Sequence, residues 1–134
     1  MKYVSNSYLK SNHTIYISRE YSMFTSKDLI TLPYFTILDW KESYYEIQSN
    51  NTKHYWKITI VNPQYHELFH KHNEKDKYHK QTSLRSLYEI VLEIIVHDEF
   101  QLRGRKGRII QKENSYFEIF LKTYGEENRE ENKL

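Results

Sequence analysis

The stretch Thr82–Phe100, TSLRSLYEIVLEIIVHDEF, decides how the rest of the chain is read. Its apolar residues Leu84, Leu87, Tyr88, Val91, Ile94 and Ile95 recur at three- and four-residue steps, the spacing that lines one side of an α-helix. Ile90, Leu92 and Val96 widen that stripe past the face a surface helix buries, so the pattern predicts a helix covered by the rest of the domain. Thr82 or Ser83 is placed to cap it. Glu89, Glu93 and His97 stand four apart in one line and read as a solvated seam with a Glu93–His97 pair.

Outward from this helix, the 134 residues suffice for one domain with a single core. Residues 1–124 are assigned to it, and residues 125–134, GEENREENKL, to a charged tail expected to be disordered. The apolar fraction is only 38%, but 13 Tyr, 6 Phe and 2 Trp supply large rings that fill a core while keeping a polar end wet. Ala is absent and Gly and Pro are scarce, whereas Lys, Ile, Asn and Tyr abound. The abundant residues have A/U-rich codons, so aromatic richness reports an AT-rich genome before it reports a binding site. A formal charge of +2 excludes an acidic mimic of nucleic acid and leaves electrostatic contacts to local patches. With no Cys there are no disulfides or thiolate metal sites, which fits the cytoplasm. The first residues hold no signal-like apolar run and no segment is long enough to cross a bilayer, so no membrane partner is expected.

Along the chain, HTIYISREY (13–21) alternates Ile15 and Ile17 against Tyr16 and Ser18 as a strand does. Thr25 or Ser26 with Asp28 marks a capped single helical turn that stops before Pro33, and PYFTILDW (33–40) resumes an extended pattern. YYEIQSNNTKHYWKITIV (44–61) reads as a hairpin about Asn50–Asn51, with Ile47 opposite His54 and Tyr45 opposite Trp56. Tyr45, Ile47, His54, Trp56, Ile58 and Ile60 form its buried face. Tyr44, Glu46, Gln48, Lys53, Tyr55, Lys57 and Thr59 form the reverse face. Asn62–Pro63 then predicts a helix start, with Tyr65, Leu68, Phe69 and His72 on one side. NEKDKYHKQ (73–81) is a charged connecting loop. IIQK (109–112) suits a short strand, and Phe117, Phe120, Leu121 and Tyr124 suit a closing helix capped by Ser115 and Glu118. The expected fold is α+β: an antiparallel sheet of about four strands packed on the central helix, with shorter flanking helices.

His66-Glu67-Leu68-Phe69-His70 matches the H-E-x-x-H pattern and so resembles zinc metallopeptidases. That resemblance implies a helix on which His66 and His70 share a zinc ion, Glu67 serves as general base, and Glu89 or Glu93 supplies a third ligand. The competing and preferred reading is an amphipathic helix with histidines at its wet margin. A looser non-catalytic set is His66, His70, His72 and His79. Arg103, Arg105, Lys106 and Arg108, around Gly104 and Gly107, form either a solvated turn or a clamp for phosphate oxygens or an acidic surface.

On the hairpin, Tyr44, Lys53, Tyr55 and Lys57 suit either a protein contact or stacking on unpaired bases. Small size, AT-rich composition and this contact surface resemble small proteins encoded by phages and mobile elements, many of which inhibit host defence, CRISPR nucleases included. The resemblance implies a non-enzymatic protein, without cofactor, that binds and inhibits or modulates a host protein or ribonucleoprotein in the cytoplasm. A zinc metallopeptidase is the alternative, and a single-stranded nucleic-acid binder is a third.

Overall fold

The computed structural model describes residues 24–103 and 116–124. Five strands within them pair in sequence order into one antiparallel sheet: β1 (Phe35–Trp40), β2 (Tyr44–Ser49), β3 (Tyr55–Asn62), β4 (Tyr65–Lys71) and β5 (His79–Leu84). Three helices among the described residues accompany it: α1 (Ser26–Thr31), α2 (Leu87–Leu102) and α3 (Tyr116–Tyr124). This is an α+β fold with one strand more than the pattern predicted. The strands expected at 13–21 and 109–112, the cap at Ser115 and the tail at 125–134 lie outside the described residues.

The capped turn, β1 and the closing helix form where the residues indicate. Thr25 and Asp28 make a reciprocal capping box, the Thr25 N–H donating to Asp28 Oδ2 at 2.8 Å. The central hairpin keeps its predicted faces but moves its register by two residues. Ile47 lies opposite Trp56 and Tyr45 opposite Ile58, with a four-residue loop between Ser49 and His54. An even shift preserves the faces, because side chains alternate with period two. The shift follows from the loop's chemistry. Asn50 and Asn51 donate their side-chain amides to the Pro33 carbonyl and the Tyr34 hydroxyl, and the left-handed residue is Lys53, at φ 68°.

The segment after Pro63 is a strand, correcting the predicted helix. Pro63 and Gln64 form a two-residue turn between paired Asn62 and Tyr65, and the Gln64 N–H donates to Asn62 Oδ1 at 2.8 Å. Residues 65–72 carry two periods at once: Tyr65, Leu68, Phe69 and His72 suit a helix, whereas His66, Leu68, His70 and His72 alternate. Pairing with β3 on one side and β5 on the other selects the alternation. β5 itself occupies part of the expected loop and the expected start of the central helix. That helix therefore begins at Leu87, where Ser86 caps it by accepting from the Glu89 N–H at 3.1 Å.

α2 packs on the inner face of the sheet and meets α3 on another side, so ten consecutive residues, Leu87–Val96, are buried. Glu89 and Glu93 are among them, which overturns the solvated seam. Glu89 accepts from the Arg85 N–H at 3.0 Å, and burial pushes its carboxyl above the usual range. Phe35, Tyr45, Ile47, Trp56, Ile58, Leu68 and Leu84 supply the sheet's share of the core, and the Trp56 indole donates to Ser49 Oγ at 3.0 Å. Among the described residues no helix is long and apolar enough to cross a membrane.

Candidate functional sites on the two faces of the sheet

The outer face gathers the hairpin residues singled out from the sequence. Tyr44, Tyr55 and Lys57 stand on it half-exposed, and Lys53 is exposed in the adjoining loop. Their positions are fixed by neighbours on the same face. Lys57 Nζ sits 4.5 Å from the Tyr44 ring centroid, while the Tyr44 hydroxyl donates to Asp39 at 2.9 Å, a bond that raises the phenol's pKa. Lys71 Nζ lies 4.6 Å from the Tyr78 ring and 5.3 Å from Tyr55, and the Tyr78 hydroxyl donates to Glu46 Oε2 at 2.8 Å. The face is thus an interlocked array of tyrosines, lysines and carboxylates. Arg103 is not part of it: it ends α2, half-buried, with Nε and Nη2 shielded from solvent. Arg105, Lys106 and Arg108 lie outside the described residues.

Glu67 also points outward, its carboxylate 3.2 Å from Lys80 Nζ. His66 and His70 point inward. Four residues of strand separate those histidines by about 13 Å, too far for one ion, and the proposed base stands on the opposite face. The motif therefore lacks the helical geometry of a zinc peptidase. His66 belongs with the start of α2, hydrogen-bonded to the Arg85 backbone, and burial lowers its pKa. Glu89 is at that same end, engaged by Arg85 and Ser86.

At the opposite end of the inner face, histidines from four elements converge. His54 continues the inward row of β3, His70 and His72 continue that of β4, His79 pairs with His70 from β5, and His97 descends from α2. His70 Nε2 and His54 Nδ1 are 3.2 Å apart, and ligand atoms of His54, His70 and His97 all lie within 4.8 Å of one another. The His72 ring stacks on His54 at 4.2 Å, and Trp56 stacks on His70 at 4.1 Å. Burial, then repulsion from His97, His54, His72 and His79, lowers the His70 pKa to about 2. His70 is thus a neutral imidazole at physiological pH. A cleft of about 380 Å³, lined by Lys71, His72, Asp76, Lys77 and His79, adjoins the cluster. Only His70 of the converging trio was a candidate ligand from sequence. The usable signal was alternation, His54-x-Trp56 and His70-x-His72, on two strands that pair.

No protein-family model, curated protein or solved structure matches the chain.

Proposed function

We propose that this chain is a non-enzymatic interaction protein that docks onto another protein through the outer face of its sheet. The observation carrying this reading is the half-exposed array Tyr44, Tyr55, Lys57, Lys71 and Tyr78, already held in place by its own hydrogen bonds and cation–π contacts. Tyrosines fixed before binding contribute apolar area and a polar tip at low entropic cost. Asp39, Glu46 and Glu67 stand among the lysines, and these carboxylates would repel a phosphate backbone, which favours a protein surface over nucleic acid. Small size and composition extend the proposal to inhibition of a host machine, such as a defence nuclease of the CRISPR type, within the cytoplasm.

A photo-crosslinking residue placed at Tyr55 tests it in host cytoplasm, with one at exposed Ile119 on α3 as control. A discrete protein adduct from position 55, lost on adding Lys57→Glu, is the expected result. Equal labelling from both positions, or salt-dependent capture of oligonucleotides, would overturn it.

A further inference from the structure

We propose that His54, His70 and His97 form a binding site for one late first-row divalent cation, with zinc the natural occupant. The ligand set determines the class. Three imidazoles without a carboxylate suit zinc, copper or nickel and suit magnesium, calcium or manganese poorly. The geometry determines the site. Two nitrogens bound to one tetrahedral zinc, each at 2.0–2.1 Å, stand about 3.3 Å apart. His54 Nδ1 and His70 Nε2 are 3.2 Å apart, and the His97 ligand atom lies within 4.8 Å of both. A turn of the His97 ring closes the third side.

The surroundings suit a cation as well. The 3.2 Å contact between His54 and His70 is a hydrogen bond, and its single proton would pass to a far ring nitrogen or to solvent as a cation takes both lone pairs. Trp56 holds the His70 ring from one side by stacking, and its ring stands perpendicular to that of His97 at 5.2 Å. His72 and His79, whose rings approach His70 at 4.9 and 5.7 Å, line the adjoining cleft. That cleft is a path of entry, and it leaves room for water or a further imidazole. Bound there, the ion would tie the loop before β3, the end of β4 and the later part of α2 into one unit. Its role would be to stabilise the folded state, since the unfolded chain holds no such site. The site lies on the opposite side of the sheet from the docking face and stands or falls without it.

Zinc binding to the purified full chain is measured by competition with a chromophoric chelator, alongside the thermal midpoint with and without zinc. One equivalent should bind and raise the midpoint, and a chelator should reverse the rise. Cobalt(II) should give the visible bands of a tetrahedral nitrogen-rich site. His97→Gln should weaken zinc by at least the roughly tenfold that even a supporting partner of a ligand costs. His66→Gln, at the other end of β4, should leave it unchanged. Because His70 is deeply buried and its substitution endangers folding, nitrogen-15 spectra of the wild-type imidazoles give a second reading: zinc should shift ring nitrogens of His54, His70 and His97. Failure to bind an equivalent of zinc, affinity indifferent to His97→Gln, or shifts confined to other histidines would overturn the proposal.

Discussion

Two buried polar residues show how single side chains are held in this core. Asp98, fully buried, accepts hydrogen bonds from the Tyr34 hydroxyl at 2.9 Å and the Thr52 hydroxyl at 3.0 Å, tying α2 to the start of β1 and to the hairpin loop. Burial outweighs these bonds and raises its carboxyl to about 6 from 3.8. Between those values the folded chain binds a proton that the unfolded chain lacks, so this group's contribution to stability grows as pH falls from about 6 toward 3.8. Relative to Asp98→Asn, the wild type should gain stability over that window, by at most about 3 kcal/mol. Parallel pH profiles of the urea midpoint would refute this if the two proteins kept a constant difference. Trp56 offers a second test through its bond to Ser49. Trp56→Phe removes the donor and leaves a cavity beside Ser49, whose hydroxyl also bonds Asp98, so it should cost about 2–4 kcal/mol. A urea midpoint left unchanged by Trp56→Phe would argue against this packing.

Among the elements, the hairpin loop carries the backbone strain. Lys53 is the one non-glycine residue at positive φ among the described residues, and a lysine tolerates that region poorly. Lys53→Val should lower the thermal midpoint by the equivalent of about 1–2 kcal/mol, since a β-branched side chain is still less at ease there. Lys53→Gly should not lower it. The opposite order would mean that the loop takes another conformation in solution. The same loop explains the register. Asn50 and Asn51 are residues that accept left-handed backbone, but here their side chains hydrogen-bond Pro33 and Tyr34, so the turn centre moves along the chain. β4 shows a different kind of ambiguity. Its seven residues satisfy two periodicities, and only the availability of β3 and β5 as partners chooses between them.

For the whole molecule, the division of the sheet into two faces matters most. The inner face is committed to α2 and the core, so substitutions there act on stability. The outer face is half-exposed, and substitutions there should act on binding. Tyr55→Ala with Lys57→Glu should therefore shift the urea midpoint by no more than about 1 kcal/mol while abolishing partner capture. A large loss of stability would place these residues in the core's service instead. The residues alone determined the α+β class, the first and last helices, the central helix from Leu87 onward, and which hairpin side is buried. Each depends on local spacing, capping or alternation, which the order of residues contains. Tertiary structure alone decided that residues 65–71 are a strand, that Glu89 and Glu93 are buried, and that three histidines as distant in the chain as His54, His70 and His97 meet. Those outcomes depend on which elements pair and stack, and a periodicity shared by helix and strand carries no information about partners.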